Sequence, residues 1–334
     1  MKQLNERLIS RREWLGLSLG VGAALALPPK LLAALQQPGA KLIQRAIPSS
    51  GEMLPVIGLQ FGNPPPPDHA ALKEALKTLV ENGGRFFDTV HQSVPGAEDV
   101  SAKIVTELGV QSKIFLATRG SPPGPPQPGA GPAKTQIEKS LARFKVEKLD
   151  LVFVSPAADP AQLAAVQELK KEGKVRYIGM GAIADERYAA LEAAMKNEAI
   201  DFIGVDYSID NRAIVEEKLL PLAQERKIGV VAYFPFGEFG TGSLFRRAGG
   251  TPLPEWAAEF DAKTWAQFFL KYIIGNPAVT VVRTGTSKPG HMLDNIGGGI
   301  GRLPDAATRK RMAELIDSWP KEKPAGGGGK PSKK

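Results

Sequence analysis

The side chains able to do chemistry in this chain fall mostly at the ends of short β-branched or aromatic runs. Asp88 closes Arg85-Phe86-Phe87-Asp88 and is followed by His91, Ser93 and Glu98, while Arg119 and Ser155 follow Ile114-Phe115-Leu116-Ala117 and Asp150-Leu151-Val152-Phe153. A histidine titrating near its ordinary value of about 6.5 suits proton transfer, so His91 is a candidate acid; its bland alternative is a polar loop residue. Glu98 reads as a capping or solvent-facing residue on the second helix. Thr286, Ser287, Lys288, His291 and Asn295 surround the last helix N-terminus, whose backbone N–H groups, together with Lys288 and Arg283, suit an anion. The plainer reading is that Thr286 to Lys288 merely start a helix well. Trp256 and Trp265 read as packing residues. Three histidines, His69, His91 and His291, offer no pair at metal-ligand spacing. With no cysteine, disulfides, thiol nucleophiles, thiolate metal sites and cysteine lipidation are excluded.

These residues need a frame. From residue 55 onward, β-branched runs alternate with amphipathic stretches, the pattern of a parallel sheet covered by helices. Eight candidate strands are residues 56–59, 85–88, 114–117, 150–153, 177–179, 202–205, 230–233 and 279–282. Between the first two, Leu72, Ala75, Leu76 and Leu79 recur at helical spacing within residues 71–80. Eight such units in 334 residues fit one α/β (β/α)₈ TIM barrel, which typically takes about 250 residues. A doubly wound sheet competes, but no Gly-x-Gly-x-x-Gly follows the first strand. Long loops at residues 120–131 and 237–254 would lie on the C-terminal face, where a barrel carries its site.

Phe87-Asp88-Thr89, Phe115-Leu116-Ala117-Thr118, Leu149-Asp150-Leu151, Val175-Arg176-Tyr177-Ile178-Gly179 and Gly285-Thr286-Ser287-Lys288-Pro289 with Asn295 resemble, in this order, the aldo-keto reductases over residues 43–318. Tyr207-Ser208 with Asn211-Arg212, and residues 265–272, resemble the twin-arginine-exported bacterial branch. The resemblance implies carbonyl reduction with NADPH by an Asp, a Tyr, a Lys and a His, a buried Lys lowering the pKa of the Tyr that donates the proton. Only Asp88 matches. Ser93 stands at the Tyr position, Arg119 at the Lys position and Ser155 at the His position. A serine hydroxyl is too weak an acid to replace a tuned phenol, and an arginine neutralises Asp88 but presents a planar fork that cannot be deprotonated. The Asp88–Arg119 pair is either purely structural or functional.

Gln60 and Phe61 place larger side chains where the resemblance puts the nicotinamide ring and substrate, and Gly181-Ala182 and Gly204 replace groups that would hold the carboxamide. Pro235, Phe236, Gly237, Thr286, Ser287, Lys288, His291 and Asn295 match positions that hold the pyrophosphate and the adenosine 2′-phosphate. The expectation is therefore a divergent or inactive relative with weak or absent nicotinamide binding, retaining a small-molecule site for an anion or nucleotide fragment on the C-terminal face. The alternatives are an active NADP(H)-dependent oxidoreductase with His91 or water as donor, and an envelope scaffold. A tyrosine from elsewhere, Tyr207 or Tyr233, beside Asp88 and a cation would overturn the inactive reading.

Ser10-Arg11-Arg12-Glu13-Trp14-Leu15 and the apolar run to Leu27 read as a twin-arginine signal, with residues 1–40 as signal and linker, 41–320 as barrel and 321–334 as a flexible basic tail. The alternative is an amphipathic N-terminus with two incidental arginines. The apolar run is too short for a stable membrane span, so the expected partner is the twin-arginine export machinery and the expected location periplasmic or extracytoplasmic. Residues 1–13 and 321–334 hold nine of the 43 Lys and Arg but three of the 35 Asp and Glu. That leaves a nearly neutral body, which argues against nucleic acid as a partner.

Overall fold

The computed structural model describes residues 41–62, 65–89, 96–120, 133–156, 158–183, 187–237 and 244–320. A hairpin, β1 (Gln44–Ala46) and β2 (Met53–Pro55), precedes eight strands: β3 (Ile57–Gln60), β4 (Phe86–Asp88), β5 (Phe115–Arg119), β6 (Leu149–Val154), β7 (Val175–Ala182), β8 (Phe202–Asp206), β9 (Gly229–Tyr233) and β10 (Val281–Gly285). All eight pair in parallel, and β10 pairs with β3 through Val282 and Ile57 to close the barrel. The fold is a (β/α)₈ TIM barrel. Each strand predicted from the sequence is present, with ends shifted by up to three residues, because strands buried on both faces read as continuous apolar runs.

The helices are α1 (His69–Glu81), α2 (Ala97–Leu108), α3 (Ala133–Phe144), α4 (Pro160–Lys171), α5 (Tyr188–Asn197), α6 (Leu220–Glu225), α7 (Leu244–Ala248), α8 (Trp265–Ile274), α9 (Pro289–Gly298) and α10 (Ala306–Asp317). α1 buries Leu72, Ala75, Leu76 and Leu79, the four periodic positions, and Asp68 caps it by accepting from the Ala71 N–H at 3.0 Å. Two expectations need correction. The segment 237–254 is not all loop, since it contains α7, and α9 is not the last helix, since α10 follows it. Trp265 packs against Phe268, Phe269 and Trp319, and Trp256 against Phe260 and Phe268. Among the described residues no helix is long and apolar enough to cross a membrane.

Two layers of apolar side chains result from the period-two alternation of strands. One lies between the barrel and its helices. The other fills the interior with Phe86, Phe115, Leu151, Phe153, Tyr177, Phe202, Val231 and Val281. Glycines make room for the large rings: a Cβ on Gly179 would stand 2.7 Å from the Phe153 ring, and one on Gly229 at 2.7 Å from that of Phe202. The hairpin, which the sequence reading did not foresee, plugs the N-terminal end with Ile47 and Leu54. Tyr177 donates to Ser50 at 2.8 Å, and Arg176 pairs with both Glu52 and Asp150. The opposite end is left for the site.

Candidate active site at the barrel mouth

Counting two residues upward from the interior ring of each strand gives the side chains that face the mouth. Phe86 leads to Asp88, Ala117 to Arg119, Phe153 to Ser155, Gly179 to Gly181, Phe202 to Gly204, Val231 to Tyr233 and Val281 to Arg283. Asp88 is fully buried. Arg119 meets it with a two-pronged fork, Nη1 to Oδ1 at 2.7 Å and Nη2 to Oδ2 at 2.8 Å, and Arg283 Nη1 donates to Oδ2 at 2.7 Å. Burial alone would push the Asp88 carboxyl up, but the two guanidiniums overcome it and hold the group below the usual carboxylate range. Burial likewise opposes the Arg119 charge, and the Asp88 carboxylate reverses that too, raising its pKa.

Tyr233 completes the cluster. The Arg283 guanidinium carbon sits 3.8 Å from its ring centroid, and that of Arg119 at 5.7 Å, so the phenol ring is a cation–π partner for both arginines. The hydroxyl is buried and has no hydrogen-bond partner among the described residues. Its pKa is pushed up to about 12, chiefly by burial and further by Asp88, with Arg119 and Arg283 pulling against that. The ring leans across β8: a Cβ on Gly204 would lie 2.1 Å from the Tyr233 hydroxyl, and one on Gly181 at 3.6 Å. A cavity of about 50 Å³ remains, lined by Arg119, Ser155, Arg187, Tyr233 and Arg283 among apolar walls of Phe153, Val154, Ile183 and Phe234.

The model of the Aldo/keto reductase family matches residues 57–308. The chain belongs to this family. An aldo-keto reductase of Strobilurus tenacellus is 28% identical over 271 residues, covering 70% of this chain and 78% of that protein, and a probable aldo-keto reductase of Glycine max is 25% identical over 285 residues, covering 75% and 80%. The barrel superposes on the holo form of an aldo-keto reductase from Bacillus halodurans with a TM-score of 0.66 at 21% identity, covering 82% of this chain and 96% of that one. An aldo-keto reductase from Klebsiella pneumoniae solved in complex with NADPH gives a TM-score of 0.64 at 20% identity, with the same coverage.

Within this aldo-keto reductase, the tetrad positions Asp88, Arg119 and Ser155 come together at the mouth, whereas Ser93 and His91 lie outside the described residues. Arg283 is not part of an anion cradle at the start of α9; its side chain turns inward to Asp88, two positions above interior Val281. Phe61 does not occupy the mouth either. It packs edge-on against Phe87 at 5.0 Å in the outer layer, because it follows Leu59 at a spacing of two and Leu59 faces the helices. Glu98 neither caps α2 nor faces solvent: it is buried and accepts from Thr118 at 2.8 Å, from Ser140 at 2.9 Å and from Arg143 at 2.9 Å. Three partners so distant in sequence left no local signal. Tyr207, by contrast, is tied to Glu216 and Arg309 in the outer layer, away from Asp88.

The positions that the sequence resemblance matches to the phosphate side follow β9 and β10, which are neighbours in the barrel. Pro235, Phe236 and Gly237 are buried, with the Phe236 ring 4.9 Å from Phe245, so Phe236 contributes packing. Thr286 accepts from the Lys288 N–H at 3.1 Å and fixes the turn into α9, leaving Lys288 exposed and Ser287 and His291 half-buried. Asn295 is buried on the inner side of α9.

Proposed function

We propose that this member of the family binds a small anionic ligand at the barrel mouth and no longer reduces carbonyls through the proton relay implied by the family resemblance. The observation carrying this reading is the state of Asp88: two guanidiniums occupy both of its oxygens, and neither can hand on a proton as an ammonium can. The nicotinamide end of NADP(H) does not fit the residues present. Glycines stand at 181 and 204 in place of amide donors, the Tyr233 ring covers Gly204, and only about 50 Å³ remains beside it. Each missing amide hydrogen bond removes about 0.5–1.5 kcal/mol from nicotinamide placement. The phosphate end is better matched, since Thr286, Ser287 and Lys288 set an exposed cation at a helix start.

The expected result is no NADPH-dependent reduction of a panel of aldehydes and quinones, with no submicromolar NADPH binding by nicotinamide fluorescence. Reduction that vanishes in Asp88→Asn would overturn the proposal. A second reading, an oxidoreductase with a displaced donor, is favoured by the arrangement that counts against the inactive reading: the Tyr233 phenol stands at the mouth beside two guanidiniums, both of which hold Asp88. Against it, burial pushes the Tyr233 pKa up to about 12, making the phenol a weaker acid than an ordinary tyrosine, and its hydroxyl donates to no acceptor among the described residues. Activity abolished by Tyr233→Phe would identify that reading as the correct one.

We also propose that the protein is exported in the folded state by the twin-arginine machinery to a periplasmic or extracytoplasmic site, on the strength of Arg11-Arg12 ahead of the apolar run. Arg11→Lys with Arg12→Lys is expected to retain the precursor in the cytoplasm on cell fractionation. Unchanged export of that variant would remove the proposal.

A further inference from the structure

Among the described residues, charge at the mouth does not balance. Two guanidiniums, 8% and 6% exposed, share the single carboxylate of Asp88, and the half-buried Arg187 adds a third cation to the same cavity. Each guanidinium carries five N–H donors, of which Arg119 gives two to Asp88 and Arg283 gives one; no other acceptor among the described residues meets the remainder. A buried excess charge is costly unless something of opposite sign meets it. Beside these donors stands the Tyr233 hydroxyl, 4% exposed as a residue and without a partner among the described residues, a further donor on the cavity wall. Among the described residues nothing acidic lines the cavity to answer them.

From this juxtaposition we infer that the mouth cavity is a binding site for a small carboxylate, held by Arg119, Arg283 and Tyr233, with Ser155 and Arg187 at its border. Guanidinium forks match the planar, two-oxygen carboxylate group, and a short acyl stem suits the walls of Phe153, Val154, Ile183 and Phe234. A single water needs roughly 10–15 Å³ measured in the same way, so a cavity of about 50 Å³ admits a short-chain acid and excludes a bulky one. The inference rests on the binding reading above and names its ligand class. It also gives Tyr233 a role that does not require proton transfer: its raised pKa keeps it a hydrogen-bond donor over the whole physiological range.

Calorimetric titration of the full chain with acetate, malonate, inorganic phosphate and acetamide tests the site. Acetate or malonate is expected to bind with a Kd of about 1 mM or tighter, and acetamide, which lacks the charge, not to bind. Arg283→Met, which leaves Asp88 and Arg119 as a neutral pair, is expected to weaken carboxylate binding more than about tenfold. Tyr233→Phe removes only a hydroxyl that has no partner among the described residues, so melting should be unchanged or higher while carboxylate affinity falls about two- to tenfold. Absence of carboxylate heat, acetamide binding as well as acetate, phosphate binding more tightly than either acid, or indifference to both substitutions would each overturn the assignment. NADPH-dependent reduction in a protein that still binds carboxylate through Arg283 would remove the functional reading alone. A protein with neither activity nor carboxylate binding would remove this inference alone.

Discussion

Asp88→Asn is expected to lower unfolding free energy by about 3–5 kcal/mol, because it strands two buried guanidiniums without a counter-charge. Urea unfolding at about pH 7 measures it. Combining Asp88→Asn with Arg283→Met should recover part of the loss, since one stranded cation is then removed, and full additivity of the two effects would contradict the ion-pair geometry. The effect also has a defined pH dependence. The carboxyl is held below its ordinary value in the fold, so as pH falls the unfolded chain takes up its proton first, near about 3.9, and stability declines from there as pH drops through the lower folded value. Above that range the contribution is fully present. Wild type and Asp88→Asn should therefore converge in acid and stay apart at neutral pH; parallel curves would show that Asp88 is not ionised in the fold.

Phe115→Ala is expected to cost about 3–5 kcal/mol, at the upper end for removal of a single apolar side chain. Phe115 is fully buried, with ring centroids at 5.8 Å from Phe86, 5.8 Å from Tyr177 and 6.2 Å from Phe202, so it is the centre of the aromatic interior. Strands closed into a barrel cannot collapse onto the void as two packed helices can. Met53→Ala, at a residue 46% exposed, serves as the control and should change stability by less than about 0.5 kcal/mol. Equal effects at the two positions would mean that the interior rings do not carry the barrel.

The eight strands were legible because parallel strands buried on both faces appear as apolar runs between amphipathic helices. The β1–β2 hairpin was not, since each arm has three residues and Gln44-Arg45-Ala46 is largely exposed. Within the site, residue identities were readable and side-chain directions were not. Gln60-Phe61 looked like a double obstruction, yet adjacent strand residues face opposite ways, and Phe61 falls on the helix side. The signal that places Arg283 and Tyr233 at the mouth is the step of two from Val281 and Val231, which becomes usable only once those valines are known to face inward. Glu98 illustrates the complementary limit: its partners Thr118, Ser140 and Arg143 lie between 20 and 45 residues away, and a buried carboxylate of that kind looks like any surface glutamate in the sequence.

The overlap of Tyr233 with the space above Gly204 makes position 204 hard to change one step at a time. Any side chain placed at 204 would have its first carbon 2.1 Å from an enclosed phenol, an overpacked intermediate that costs about 1–3 kcal/mol. Substitution would have to change both positions together, so the glycine and the tyrosine entrench each other and act as a ratchet.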